Sequence, residues 1–256
     1  MNVNVARPEA AGTLSIDERQ ARIDLAAAFR LAVEHNWHEA VANHFSLAVS
    51  DDGKQFLMNP KWRHFSRVKA SDLLLLDAND PSTMKGPDAP DPSAWAIHGR
   101  MHATVPHARC ILHVHPPYGT AIASLADPEV KPIDQNTARF YNRVAYDAAF
   151  GGIADTEEEG DRLAGVLGKH SIMMMGNHGL LVTGRTVAEA FDALYYLERA
   201  CQTLVLAYST GKPLNLLSDN IAEHTAVGWE AYADSADAHF EEMKKVLDAK
   251  DPSYAH

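Results

Sequence analysis

The tripeptide His113-Val114-His115 is the part of this sequence best suited to chemistry. It ends the apolar run Cys110-Ile111-Leu112, which reads as a short buried strand stopped by Pro116-Pro117. Side chains two apart on a strand share a face. Both imidazoles can therefore leave one strand end together, with Ile111, Leu112 and Val114 packed around them. Two rigidly held imidazoles suit a divalent metal. The tripeptide also fits one histidine bonded in the core and one in solvent. His178 is the third candidate, in the turn-forming stretch Gly176-Asn177-His178-Gly179 between two apolar segments. A chain reversal there puts a histidine at a sheet end, where a second strand end can face it. Three histidines leave coordination positions open, as a catalytic metal requires. A turn histidine with a capping role is the plainer alternative.

The elements that must position these groups can be read along the chain. Residues 1–14 have no periodicity and read as a flexible arm. Ser15 fits a helix cap with Glu18 at the third helical position. Ile23, Leu25, Phe29 and Ala32 then follow at roughly helical spacing, and the helix ends near His35. His44 to Val49 and Gln55 to Met58 read as strands joined by a turn at Asp51-Asp52-Gly53. Lys69 to Asp72 form a helical turn before a strand over Leu73 to Leu76, and proline-rich residues 77–92 read as a loop. Ser93 is expected to cap a helix over about Ala94 to Thr104, and Tyr118 to Leu125 a further one. Acids at Glu157 to Glu159 suit the start of a helix through Leu167. Ser171 to Met175 and Leu180 to Val182 are strand segments. Thr186 caps a long helix, and a last helix covers about Ala233 to Leu247. Mixed strands and helices with hairpin-like pairs predict an α/β domain over residues 15–256, with a C-terminal helical tail and a mixed, mostly antiparallel sheet.

Composition narrows the partners. The chain has 23 basic and 34 acidic residues, a net charge of −11. An acidic surface with no visible basic patch is repelled by polyphosphates and anionic membranes, so neither nucleic acid nor membrane is expected as a partner. No stretch approaches the roughly 18 apolar residues of a membrane span. Cys110 and Cys201 sit in apolar contexts, and no signal-peptide pattern is visible, so a cytoplasmic location is expected. His98 and His102 lie four apart without the glutamate of a metalloprotease motif and read as a helix face. Met173-Met174-Met175 reads as a buried strand.

Taken in order, these motifs resemble the class II aldolase/adducin family. The likeness rests on His113-Val114-His115-Pro116 and Asn177-His178-Gly179-Leu180-Leu181. Asn43-His44-Phe45-Ser46, Phe56-Leu57-Met58-Asn59-Pro60, Ala70-Ser71-Asp72-Leu73-Leu74, Ile97-His98 and Asp134-Gln135 extend it. It is closer to the adducin-like, decarboxylase-like branch than to the sugar-phosphate aldolases. The resemblance implies a three-layer α/β/α domain and a homo-oligomer, with a tetramer favoured. It also implies His113, His115 and His178 as ligands of a divalent metal, zinc first, with manganese or iron as alternatives.

Two departures bear on the chemistry. In the sugar-phosphate aldolases a glutamate opens the helix before the histidine pair and serves as acid and base. Here Ala94 holds that position and cannot transfer a proton. The phosphate-binding loop is replaced by Asn59-Pro60-Lys61-Trp62-Arg63-His64. Lys61 and Arg63 could instead pair with a carboxylate, Arg63 in a bidentate manner, or could simply be solvated loop charges. A metal with three neutral ligands can polarise a carbonyl and stabilise an enolate. The expected function is thus a metal-dependent carbon–carbon lyase, a decarboxylase or retro-aldolase, acting on a small carboxylate-bearing oxo- or hydroxy-acid. Decarboxylation least needs the missing glutamate. His98, Asp134 and Tyr141 are candidate proton-transfer residues, with Tyr118 and Tyr146 as further options. Asn43, Lys61, Arg63 and Ser93 are candidate substrate-binding residues. A non-haem iron oxygenase on the same triad and a non-catalytic adducin-like interaction domain are the alternatives.

Overall fold

The structure, a computed structural model, describes residues 17–86, 88–232 and 234–256. The expected arm and Ser15 lie outside these residues. The chain runs through helix α1 (Glu18–Glu34), strands β1 (His44–Ala48), β2 (Gln55–Met58) and β3 (Leu74–Asp77), and helix α2 (Pro92–Thr104). Strand β4 (Cys110–Val114), helices α3 (Pro117–Ala123) and α4 (Gln135–Ala138), strand β5 (Val144–Asp147) and helix α5 (Glu157–Leu167) follow. Strands β6 (Ile172–Met175) and β7 (Gly179–Gly184) lead to helices α6 (Val187–Ser209), α7 (Asp219–Glu230) and α8 (Ser235–Asp248).

The strands form one sheet in the order β3-β2-β1-β4-β7-β6-β5. Only β5 and β6 pair in parallel. The sheet is therefore mixed and mostly antiparallel, as expected. The two-residue period of the strands sorts side chains into two layers. Leu112, Val114, Leu180 and Val182 face one layer, with Leu25 and Phe29 of α1 and Phe191 and Leu197 of α6. Ile111, Met173, Met175 and Leu181 face the other, with Ile97 and Met101 of α2 and Leu163 and Leu167 of α5. Helices thus cover both faces in an α/β/α arrangement. In the second layer Gly160 lets α5 pack closely against α2; a Cβ there would come within 2.2 Å of the Ala96 carbonyl oxygen. Cys110 and Cys201 are free and buried. Among the described residues no helix is long and apolar enough to cross a membrane.

Several local expectations need correction. Asp17 caps α1, accepting from the Arg19 N–H at 3.0 Å. Asp91, not Ser93, caps α2, and its carboxylate accepts both the N–H (3.0 Å) and the hydroxyl (2.7 Å) of Ser93. Pro92 takes the first helical position, where a missing N–H costs nothing. The loop over 77–92 contains a 3-10 turn at Pro81–Met84. Strand β5 was not anticipated: it is a four-residue edge strand whose Asp147 breaks the apolar run by pairing with Arg162 at 2.7 Å. The expected last helix is α8, its expected first residue Ala233 lying outside the described residues, and helix α7 precedes it unanticipated. Helix α7 escapes a periodicity reading because it buries only Ala222 and Ala226 while Ile221 and Val227 face solvent.

Candidate metal centre

The sheet brings the three histidines together at one end of β4. His113 pairs across to Leu181 of β7, and the turn entering β7 delivers His178. The ligating atoms of His113, His115 and His178 all lie within 4.8 Å of one another and could hold a metal ion. Gly179 permits this approach; a Cβ there would meet both the His115 ring and the Val114 carbonyl oxygen at 2.6 Å.

Hydrogen bonds set the tautomers. His113 Nδ1 faces the Leu180 carbonyl oxygen at 3.0 Å and donates to it. His115 Nδ1 faces the Glu39 carboxylate at 3.1 Å. Each ring therefore presents a bare Nε2, and the two Nε2 atoms lie 3.2 Å apart. Two lone pairs at that distance repel. A tetrahedral cation with Zn–N bonds of about 2.0–2.1 Å places two ligand nitrogens about 3.3 Å apart, so the donor set fits such an ion. Burial holds His113 well below the usual imidazole range. Burial, with His115 beside it, holds His178 down at about 4. His113 and His178 are therefore neutral near pH 7, as ligation requires.

Glu39 is a residue that sequence reasoning missed. It lies on a loop, and its contact with His115 is made only by the fold. A carboxylate on the outer nitrogen of a ligand imidazole orients the ring and raises its basicity. Replacing Glu39 with Gln is expected to weaken metal binding by about 10- to 100-fold without unfolding the chain. Competition against a chromophoric chelator would measure this, and unchanged affinity would refute the role.

The triad lines a cavity of about 470 Å³ that also takes in Asn43, Lys61, Ser93 and Ala94. Asn43 adopts a left-handed backbone (φ 73°), a conformation asparagine tolerates. Its Oδ1 accepts from the Glu39 N–H at 3.0 Å, while its buried Nδ2 has no partner among the described residues. Other expected site residues lie elsewhere. Arg63 pairs with Asp72 at 3.3 Å and lines a separate groove with Arg30, Arg67 and Lys69. Two acids of the same groove, Asp72 and Asp251, pair with Arg63 and with Arg30 of α1. His98 is fully buried and bonds His44 rather than the cavity. Asp134 caps α4, accepting from the Thr137 N–H at 2.8 Å. Tyr141 is partly exposed, and the neighbouring Asp219 carboxylate pushes its phenol up. The hydroxyl of Tyr146 accepts from the Val130 N–H at 3.0 Å.

Further residues line the cavity without having been singled out as site residues, His44, Asp91 and three large apolar side chains among them. His44 pairs with His113 across β1 and β4, and their rings stack at 4.9 Å. Its place in Asn43-His44-Phe45-Ser46 was a usable signal, since alternation sets His44 and Ser46 on one face. Trp62, Phe150 and Ile153 form an apolar rim and are 69%, 55% and 82% exposed. Trp62 has φ 60°, an uncommon conformation for so bulky a residue.

Comparisons with known proteins agree with this architecture. The sequence profile of the Class II Aldolase and Adducin N-terminal domain matches residues 23–205. The chain belongs to the class II aldolase and adducin family. A Caulobacter vibrioides protein assigned to the class 2 aldolases is 33% identical over 212 residues, covering 83% of this chain and 82% of the relative. Human β-adducin is 31% identical over 221 residues, which are 82% of this chain but 30% of adducin. The crystal structure of an aldolase II superfamily protein from Pseudomonas syringae superposes with a TM-score of 0.85 at 29% identity, covering 95% of this chain and 98% of that one. The L-fuculose 1-phosphate aldolase of Glaciozyma antarctica shares the fold, with a TM-score of 0.77 at 22% identity over 95% and 96% of the two chains. The family thus includes both aldolases and adducins. Within it, the three histidines of this chain stand together, while Ala94 lines the cavity at the position where the resemblance expects a glutamate.

Proposed function

We propose that this chain is a metal-dependent carbon–carbon lyase acting on a small oxo- or hydroxy-acid, as a decarboxylase or retro-aldolase, within a homo-oligomer. The observation that carries the reading is the convergence of two bare Nε2 atoms 3.2 Å apart, beside His178, on the wall of a cavity. When bound there, a divalent metal, zinc first, supplies a Lewis acid that polarises a carbonyl and stabilises negative charge developing on its oxygen. His113, His115 and His178 would hold it, and Glu39 would orient His115.

Two other lining residues favour a carboxylate substrate, while the lining carboxylate of Asp91 is held by the N–H and hydroxyl of Ser93. Lys61 is the one lysine or arginine among the described lining residues, and its ammonium suits an acid group. The unpartnered Asn43 Nδ2 offers a hydrogen bond to the same ligand. Ala94 removes the proton-transfer group that an aldol cleavage would use. Loss of carbon dioxide needs no base there: the carbon–carbon bond breaks, its electron pair passes onto the adjacent carbonyl, and a solvent proton restores the C–H bond. The apolar rim of Trp62, Phe150 and Ile153 suits a substrate with an apolar body more than a sugar phosphate.

The test is turnover by protein loaded separately with Zn²⁺, Mn²⁺ and Fe²⁺, presented with 3-oxo and hydroxyaryl acids, with carbon dioxide, aldehyde and oxygen monitored. Release of carbon dioxide or aldehyde without oxygen uptake is expected. Lys61→Met is expected to raise KM about tenfold or more with a smaller effect on kcat, as loss of a hydrogen bond to a charged group would. No product with any metal would overturn the reading, and oxygen uptake confined to Fe²⁺ would replace it with the oxygenase.

A further inference from the structure

A buried polar chain runs from the metal cavity into the layer between β1 and α2. Alternation puts His44 and Ser46 on one face of β1, and a spacing of four puts Ala94, His98 and His102 on one face of α2. His44 Nδ1 lies 2.8 Å from His98 Nε2. Ser46 Oγ lies 2.6 Å from His98 Nδ1 and 2.7 Å from His102 Nε2. All four residues are buried. The two ends of the chain differ. His102 Nδ1 is buried with no hydrogen-bond partner among the described residues, and Phe56 stacks on its ring at 4.5 Å. His44 lines the metal cavity.

Each neutral imidazole carries one N–H and one lone pair, and the serine hydroxyl carries one proton. The proton arrangements can therefore be enumerated. If every proton points away from the cavity, His102 is left with a buried N–H that has no acceptor. If Ser46 accepts from both rings, its own buried hydroxyl proton has no acceptor. If every proton points toward the cavity, the only unsatisfied buried atom is a lone pair on His102 Nδ1. Orphaned buried donors are rarer than under-satisfied acceptors, so the third arrangement is the favoured one.

We propose that this chain is polarised from His102 through Ser46 and His98 to His44, so that His44 presents a fixed Nε2–H to a substrate oxygen beside the metal. His44 is then the residue that touches substrate, and His98, Ser46 and His102 are positioning residues that hold its tautomer. The stack of His44 on His113 places the donor next to the ion-binding nitrogens. A preorganised donor at this point acts as an oxyanion stabiliser, aimed where charge develops. The role at the substrate rests on the lyase reading, but the tautomer does not.

Two measurements test it. Long-range ¹H–¹⁵N correlation of the imidazoles in histidine-labelled protein, at neutral pH, reads which nitrogen of each ring is protonated. Protonated Nε2 is expected on His44, His98 and His102, and a protonated Nδ1 on His44 overturns the proposal with or without metal. Acetohydroxamate, a small chelating mimic of an enediolate, then probes the donor in zinc-loaded protein. His44→Phe, which keeps a ring against His113, is expected to bind it about tenfold more weakly, the worth of one hydrogen bond. His102→Leu should lose part of that affinity, and His102→Gln, which retains an N–H donor, should recover it. Equal affinity of the wild type and His44→Phe would refute the contact. Failure to retain zinc in any variant would instead count against the lyase reading, leaving the tautomer result to stand alone.

Discussion

His178→Ala is expected to release the metal, with affinity falling by at least about 100-fold, since partners one bond further out already matter by 10- to 100-fold. His178 is the cleanest ligand to remove. It is half-buried in the turn between β6 and β7, so its loss leaves the core packing in place. His113→Ala should release the metal as completely, but it also empties a buried site in β4. Metal content after dialysis, set beside the thermal midpoint, separates the two effects. Retention of metal by folded His178→Ala at the wild-type level would sink the ligand assignment.

The second large effect is loss of stability on mild acidification. Burial holds His44 and His102 at about 3 and His98 well below the ordinary value of 6.5. Their folded pKa values are depressed, so the unfolded chain binds more protons below that ordinary value, and stability falls as pH drops through it. His44 and His102 each cost about 2 kcal/mol between pH 7 and pH 5, and His98 acts in the same direction. Glu198 acts in the opposite sense. Its carboxylate accepts the backbone N–H groups of Tyr118 and Gly119 (2.9 and 2.7 Å), yet burial pushes it up to about 7. The folded state takes up that proton more readily than the unfolded chain, which offsets about 2 kcal/mol over the same interval. The expected net loss from His44, His102 and Glu198 is about 2 kcal/mol, to which His98 adds, a sizeable part of the 5–15 kcal/mol typical of a folded domain. His113 and His178 add to it in metal-free protein. Urea unfolding at pH 7 and pH 5 measures the difference, and equal midpoints would show that these rings can be protonated in the fold.

Much of the site was legible because its signals are local. Alternation on one strand was enough to pair His113 with His115, and the glycines around His178 marked a turn. Lys61, Asn43 and Ser93 were also named, and all three line the cavity. Local signals misled where a neighbouring element competes for a side chain. Arg63 is an anion-ligand candidate by its residue type, but Asp72 on the following 3-10 turn takes it. Asp134 and Tyr141 carried suitable chemistry, but capping and the neighbouring Asp219 engage them. The spacing of His98 and His102 marks a helix face, with His98 also a proton-transfer candidate; Ser46 sits between them, which only the packing of α2 on β1 arranges.

The sequence alone determined most of the strand and helix pattern, the kinship with class II aldolases and adducins, and the three histidines with metal-ligand character. These depend on spacing of two on a strand, on turn chemistry and on ordered motifs, all written within short windows of chain. Only the tertiary structure decided which imidazole nitrogens are bare. That depends on Glu39, the Leu180 carbonyl and the buried His102, which reach the site from separate elements. A histidine's chemistry is set by what stands at its other nitrogen, and that partner is chosen by the fold.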